Sequence, residues 1–92
     1  MYNPERSGKL IKILKKLFKK DKNRYEAALN KIEEVINSED PDHYKNLSYN
    51  LKEFKGVHID SHFVLTFKVD KNNNLIKFED LQHHDVIYRR KK

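Results

Sequence analysis

The sequence contains no cysteine, and only two glycines and two prolines among 92 residues. The absence of cysteine excludes a disulfide framework, a thiolate zinc site, a cysteine nucleophile and an iron–sulfur cluster. No apolar run approaches the roughly 20 residues that a membrane span needs, and the N-terminal residues lack the apolar stretch of a signal peptide. These absences predict a cytoplasmic protein that has no membrane partner.

Acidic residues are outnumbered: 20 Lys and Arg stand against 14 Asp and Glu, which gives a net charge of +6. Residues 1–24 hold nine of the bases and two acids, whereas residues 25–42 hold one base and six acids. The excess of positive charge favours a polyanionic partner, which is nucleic acid, an acidic protein or an anionic membrane. The membrane is the weakest of these, because the apolar stripe of the basic first helix is needed to cover the sheet. The length allows one domain, residues 1–92, with a modest core.

The first half of the chain has a helical pattern. Leu10, Leu14 and Leu17 recur at helical spacing after Ser7, which is a suitable N-cap. A break near residues 21–23 precedes a second amphipathic stretch that predicts a helix from about residue 24 to 37. Because the link is so short, we expect residues 8–37 to form an antiparallel helical hairpin, preceded by a flexible segment at residues 1–7.

From residue 51 onward the apolar residues alternate with polar ones, which is typical of β-strands. Phe63, Leu65, Phe67 and Val69 share one face, and the Asn-rich stretch at residues 70–74 is a turn signal. A last short strand is predicted at residues 86–88. The predicted fold class is therefore α+β, with the helical hairpin packed on one face of a three- or four-stranded antiparallel sheet formed by residues 51–90.

Histidines are the residues best suited to chemistry, but their spacing argues against a metal site. On one continuous strand, His58 and His62 lie about 13 Å apart, too far to share an ion. Only a tight turn at residues 60–61 brings them together. His83 and His84 are adjacent, so on a strand they point to opposite faces and one of them is idle. We therefore predict no metal.

General acid–base catalysis suits these histidines better, because an imidazole with an ordinary pKa near 6.5 both accepts and donates protons. Cleavage of RNA by its own 2′-hydroxyl needs a proton acceptor, a proton donor and cations that hold the phosphate. Residues 82–90 supply histidine, tyrosine and arginine together, so the reaction requires no cofactor. Solvated side chains without chemistry are the alternative interpretation of the same run.

Three short motifs in this order resemble a known family. They are L-K-x-x-K-x-x-H-I at residues 51–59, V-L-x-F-K-V at residues 64–69 and H-H-D-x-I-Y at residues 83–88. The order and spacing are similar to those of the RelE/ParE superfamily of toxins from type II toxin–antitoxin modules, and most of all to its RelE/YafQ-like branch, found in bacteria and archaea. The resemblance covers about residues 8–90.

The resemblance implies a metal-independent endoribonuclease that cuts mRNA on the ribosome and leaves a 2′,3′-cyclic phosphate. It also implies a RelB-like antitoxin encoded nearby, with the free toxin a monomer and the complex a heteromer. A ParE-like inhibitor of DNA gyrase and a catalytically silent RelE-fold binding protein are the alternatives.

The resemblance also assigns roles to individual residues. His84 is implied as general acid or base with His58 as its partner, Tyr88 as the residue that stacks a base or orients the phosphate, and His83 as the alternative to His84. The implied RNA- and phosphate-binding residues are Lys52, Lys55, His62, Lys68, Arg89 and Arg90. Two arginine positions of the family pattern hold Asp80 and Phe63 here, so some positive charge must come from elsewhere. Lys68, Arg89 and Arg90 are included for this reason.

Overall fold

A computed structural model describes residues 1–47 and 52–89, apart from the side chains of Tyr88 and Arg89. It contains a four-stranded sheet with the strand order β1-β4-β3-β2. In chain order the elements are β1 (Asn3–Arg6), α1 (Gly8–Lys20), α2 (Lys22–Ile36), a 3₁₀ turn (Pro41–His43), β2 (Lys55–His58), β3 (Phe63–Asp70), β4 (Leu75–His83) and α3 (His84–Arg89). The α+β fold class is confirmed.

Capping side chains set the ends of the two long helices. The Ser7 hydroxyl accepts a hydrogen bond from the Leu10 amide at 3.0 Å, which confirms Ser7 as the N-cap of α1. The Asp21 amide donates to the Leu17 carbonyl at 2.8 Å, and its carboxylate accepts from the Arg24 amide at 3.1 Å. Because one residue ends α1 and caps α2, the second helix begins at residue 22, earlier than predicted.

The core lies between the two long helices and one face of the sheet. Phe67 and Phe78 are fully buried, and their ring centroids lie 5.7 Å apart. The remaining buried core residues are Leu10, Leu14, Ala28, Ile32, Val35, Ile36, Leu65, Ile76 and Leu81. The alternating apolar residues of β3 therefore face the helices, as the sequence pattern predicted.

The prediction that residues 1–7 are flexible and that the sheet is wholly antiparallel is wrong for the first strand. β1 pairs in parallel with β4, from Asn3 opposite Leu75 to Arg6 opposite Phe78. The Asn3 amide donates to the Asn74 carbonyl and the Ser7 amide donates to the Phe78 carbonyl, both at 2.9 Å. In this strand the amides of the odd-numbered residues therefore face β4. Pro4 therefore loses no ladder hydrogen bond on this edge strand.

A β-bulge in β4 changes which side chains face the helices. Thr66 pairs with Asp80 but Phe67 pairs with Phe78, so Glu79 is the extra residue. The bulge is held by the Ser7 hydroxyl, which donates to the Glu79 carbonyl. Asp80 consequently lies opposite Thr66, on the sheet face that points away from the helices. We call this face the second face.

The predicted strand at residues 86–88 is wrong, because His84–Arg89 form helix α3. Ile87 of this helix is fully buried and lines a small cavity together with Thr66 and Asp80. Burial of one apolar side chain on the second face thus holds the tail as a helix, and Asp85 in its first turn is favourable for the helix dipole. The second face, predicted to be partly open, is covered here.

Candidate functional site

The turn between β2 and β3 brings His62 back towards the end of β4. The Asp60 carboxylate organises this turn, because its Oδ1 accepts hydrogen bonds from the amides of His62 at 2.8 Å and Phe63 at 2.9 Å. Its Oδ2 lies 2.9 Å from Nε of Arg24, whose guanidinium stacks on the Phe63 ring at 4.0 Å. Helix α2 therefore fixes a turn that is far away in sequence.

Four imidazoles meet where this turn, the end of β4 and the start of α3 come together; we call them the histidine cluster (His58, His62, His83 and His84). The ring centroids of His58 and His84 are 6.5 Å apart, and those of His83 and His84 are 4.5 Å apart. His62 lies 5.8 Å from His83 and 6.3 Å from His84. The structure thus assembles all four histidines predicted for the site.

The expectation that His83 and His84 point to opposite faces is wrong, because the strand ends between them. β4 ends at His83 and α3 begins at His84, so the alternation of strand side chains does not extend to the second residue. The His84 amide donates to the His62 carbonyl at 2.7 Å, which ties the helix start to the turn. Both rings consequently lie in the cluster.

Asp85 is a functional candidate to which the sequence analysis above assigned no role. Its Oδ1 lies 3.1 Å from Nδ1 of His84, and its amide donates to Nδ1 of His83 at 3.1 Å. A carboxylate on Nδ1 holds a proton there and leaves Nε2 of His84 with its lone pair. The signal in the sequence was the Asp directly after the two histidines, but only the helical turn aims its side chain back at them.

Two of the three lysines predicted to bind RNA are engaged by other groups of the protein. Lys55 donates to the carbonyl of Tyr44 at 3.0 Å and to Oδ1 of Asn46 at 2.7 Å, so it holds a loop. Lys68 pairs with Glu53 at 3.2 Å. Lys52 is exposed in the turn before β2.

Three of the predicted site residues remain, namely Tyr88, Arg89 and Arg90. The side chains of Tyr88 and Arg89, and the whole of Arg90, lie outside the described residues. Their assigned roles therefore stay predictions.

Asp80, which occupies one of the family's arginine positions, is buried on the second face. The Lys9 ammonium from the first turn of α1 lies 3.1 Å from its Oδ2, and its Oδ1 accepts from the Leu81 amide at 2.9 Å. Burial of a carboxylate requires such partners. The Lys9 ammonium is therefore a cation next to the position where the family pattern has an arginine. The ion pair also links α1 to β4, which are far apart in the sequence.

Three members of the histidine cluster have the geometry of potential metal ligands. One ring nitrogen from each of His62, His83 and His84 can be chosen so that all three lie within 4.8 Å of one another. His62 is exposed, whereas His83 and His84 are partly buried. The prediction of no metal rested on strand geometry that does not apply at this end of the sheet.

We expect the Asp60 carboxylate to make the stability of the protein sensitive to acid. Burial opposes its ionisation, but hydrogen bonds from the His62 amide, the Arg24 guanidinium and the Phe63 amide outweigh this and lower its pKa from 3.8 to about 2. A lowered pKa stabilises the fold fully above about pH 4, and this contribution is lost as the pH falls towards 2.

Urea unfolding at pH 5 and pH 2 tests this expectation. The acid-induced loss in free energy of unfolding should be about 1–2 kcal/mol larger for the wild type than for Asp60→Asn, a value reduced from the full linkage because the side chain is partly exposed. Glu26→Gln, an exposed change, serves as the matched control and should behave like the wild type. An equal acid effect in Asp60→Asn would contradict the assignment.

No protein-family model matches the chain. Among curated proteins, it is 51% identical to one named "Putative toxin RelE4" from Methanocaldococcus jannaschii, over 100% of this chain and 96% of the relative. An uncharacterized protein from Methanosarcina mazei is 41% identical over 96% of this chain and all of its own length.

Two solved proteins share the fold. Escherichia coli YafQ matches with a TM-score of 0.66 and 20% identity, over 96% of this chain and 99% of its own. A metal-bound toxin from Helicobacter pylori matches with a TM-score of 0.67 and 24% identity, over 95% and 99% of the two chains. YafQ has also been solved in a complex with DinJ, which matches with a TM-score of 0.63 and 21% identity, over 96% and 99% of the chains. In the part of the chain that the structure describes, no helix is long and apolar enough to cross a membrane.

Proposed function

Because this chain belongs to the RelE family of toxins, we propose that it is the toxin of a toxin–antitoxin pair and that it cleaves mRNA on the ribosome without a metal ion. The observation that carries the proposal is the approach of His58 to His84, whose Nδ1 lies against the Asp85 carboxylate. Two imidazoles set on either side of a phosphate provide the acid and the base that transesterification of RNA requires.

The proposed reaction uses one histidine for each proton transfer. Nε2 of His84 accepts the proton of the 2′-hydroxyl as the 2′-oxygen forms its bond to phosphorus, and Asp85 stabilises the imidazolium that results. His58 donates a proton to the 5′-oxygen as the bond between phosphorus and that oxygen breaks. The products are a 2′,3′-cyclic phosphate and a free 5′-hydroxyl, so no water or metal enters this step.

The cationic surface that faces the ribosome is proposed to be α1. Its exposed lysines include Lys12, Lys16 and Lys20, and none of these three has an ion pair among the described residues. Lysines that contact phosphates contribute sequence-independent, salt-sensitive affinity for RNA. We therefore propose that α1 binds the ribosome and that the histidine cluster carries out the cleavage step.

Induced expression in a bacterial host, followed by mapping of RNA ends, tests the proposed function. We expect growth arrest, mRNA cut within codons, and 5′ fragments that carry a 2′,3′-cyclic phosphate. Purified protein should cleave mRNA on ribosomes at the same rate with and without EDTA. Magnesium is kept in excess of the EDTA, so that the ribosomes stay intact. Growth arrest with intact mRNA and trapped gyrase would replace this proposal with the gyrase inhibitor, and the absence of arrest would favour the silent binding protein.

The antitoxin is proposed to dock on a groove beside α1. This groove has a volume of about 530 Å³, and its lining combines four apolar or aromatic residues with four basic ones: Ile11, Leu14, Phe18 and Tyr25, and Arg6, Lys15, Lys16 and Lys19. Phe18 is 50% exposed and Ile11 is 42% exposed, which is unusual for such large apolar side chains. An acidic amphipathic helix fits this combination of apolar and basic lining residues.

Two variants separate the apolar and electrostatic parts of this docking surface. We expect Phe18→Ala to weaken binding of the cognate antitoxin by about tenfold or more, because it removes an aromatic anchor. Lys19→Glu should slow association and reduce the salt dependence of the affinity. Isothermal titration calorimetry at low and high salt measures both effects.

Lys77→Glu on the exposed surface of β4 is the control and should bind like the wild type, apart from a small non-specific effect of charge. If Phe18→Ala bound the antitoxin as tightly as the wild type does, the groove would not be the docking surface.

A further inference from the structure

We propose that His62, His83 and His84 together bind one transition-metal dication, of which zinc is the favoured member, and that the bound ion blocks RNA cleavage. The binding site stands on the geometry of the cluster alone. The inhibition rests on the function proposed above, because it requires His84 to act in proton transfer. The two parts are therefore tested separately.

The three side chains are already held near the distance that coordination requires. Their chosen ring nitrogens lie within 4.8 Å of one another, whereas tetrahedral zinc with bonds of about 2.0–2.1 Å needs nitrogens roughly 3.4 Å apart. The closing movement is therefore on the order of 1 Å. The exposed His62 ring, at the edge of the cluster, is the one with room to make this movement.

The backbone around the three ligands is fixed by long-range hydrogen bonds, so the site is largely preformed. His84 is tied to His62 through the amide-to-carbonyl bond of 2.7 Å. Phe63, next to His62, pairs with His83 in the β3–β4 ladder. Asp60 holds the turn through the His62 and Phe63 amides. Because the backbone is already ordered, binding of an ion here costs little conformational entropy, which favours a measurable affinity.

The donor set selects the class of metal. Imidazole nitrogens suit zinc, copper and nickel, whereas magnesium and calcium prefer oxygen ligands. Three imidazoles leave a fourth position for water, as in sites that bind zinc through three histidines.

Asp85 supplies the outer carboxylate that such ligands use. Its Oδ1 lies 3.1 Å from Nδ1 of His84, and its Oδ2 lies 3.7 Å from Nδ1 of His83. It is therefore placed to hold the Nδ1 proton of His84 when Nε2 of that ring binds the ion, whereas Nδ1 of His83 accepts a hydrogen bond from the Asp85 amide.

The bound ion is expected to inhibit the cleavage step. The lone pair on Nε2 of His84 that accepts the 2′ proton is the same lone pair that ligates the metal. The ion also draws His62 into its coordination sphere and away from a substrate phosphate. An imidazole that ligates a metal cannot take a proton at the same nitrogen, so the cleavage rate should fall as the site fills.

Binding is tested without RNA, on the full chain freed of metal with EDTA and then dialysed. Titration with zinc chloride in a calorimeter, together with thermal unfolding, should show one equivalent bound and a raised Tm for the wild type. His62→Gln and His83→Gln should each weaken binding by about tenfold or more. His43→Gln, in the 3₁₀ turn and outside the cluster, should bind zinc like the wild type.

Magnesium is the matched negative control and should leave the Tm unchanged. Each variant is first checked for a cooperative unfolding transition without metal, and the two ligand variants back each other up should one fail to fold. Undiminished zinc binding by a folded His62→Gln or His83→Gln overturns the site, as does failure of the wild type to bind zinc.

Inhibition is then measured as the ratio of cleavage rates with and without zinc, on ribosomes from one preparation. The rate with zinc, divided by the rate without zinc, should be about one tenth or less for the wild type and for His43→Gln. For His83→Gln the same ratio should be near one. Zinc binding with no change in the rate, or with an increase, overturns the inhibition while the site stands. An absence of cleavage under all conditions overturns the proposed function instead, and the calorimetric result still decides the metal site.

Discussion

Replacing His84 with alanine is expected to lower the rate of RNA cleavage by about 10²–10⁴-fold, which is the usual contribution of a general acid or base. The reason is that the Asp85 carboxylate lies 3.1 Å from Nδ1 of this ring, and that the His58 ring lies across the cluster with its centroid 6.5 Å away. The measurement is single-turnover cleavage of mRNA on ribosomes with saturating protein, so that weaker binding does not reduce the rate.

Matched variants distinguish proton transfer from a general loss of structure. His58→Ala should cause a loss of the same order, whereas His43→Ala, in the 3₁₀ turn and outside the cluster, should cleave at the wild-type rate. The rate should rise and fall with pH in the wild type and lose one limb in each active-site variant. If His84→Ala retained more than about a tenth of the wild-type rate, the acid–base assignment would be wrong.

The largest effect on stability is expected from Phe67→Ala, which should lower the free energy of unfolding by about 3–5 kcal/mol. The Phe67 ring is fully buried between Tyr44, at 5.6 Å between centroids, and Phe78, at 5.7 Å. Its removal leaves a cavity at the centre of the sheet face that packs against α1 and α2, and the paired strands on either side of β3 hinder a collapse into it. Urea unfolding monitored by circular dichroism measures the change.

Phe18→Ala is the control because it makes the same chemical change at a half-exposed position of α1. It should alter the free energy of unfolding by about 1 kcal/mol or less, while it weakens antitoxin binding as described above. The pair of variants therefore separates the core from the docking surface. Similar losses of stability in both variants would show that the burial pattern does not describe where the stabilising contacts are.

The helices and the core-facing residues of β3 followed from local patterns. The helical spacing of Leu10 and Leu14 and the cap at Ser7 determine where α1 begins and which face it buries, because both depend on residues within one or two turns. The alternation from Phe63 to Val69 likewise determines which side of β3 faces the helices. The motif order indicated the family that the relative from M. jannaschii supports.

The chain ends did not follow local patterns. β1 is a strand because it pairs with the edge of β4, more than 70 residues away in the sequence. In this pairing Pro4 lies at a position whose amide does not face β4, so the missing amide hydrogen costs no hydrogen bond. Residues 86–88 are an apolar run compatible with a strand, but residues 84–89 form α3, in which Ile87 is buried on the second face. Short segments carry too little intrinsic preference to resist such contacts.

The candidate site divides in the same way between sequence and fold. The sequence by itself determined the kinds of groups present: imidazoles, a carboxylate after His84, a basic first helix and no thiol. Only the tertiary structure decided that His62, His83 and His84 meet and that Lys55 serves a loop. The physical reason is that the end of the β4 strand and the Asp60–Arg24 contact are set by hydrogen bonds between residues far apart in the chain, which no local pattern encodes.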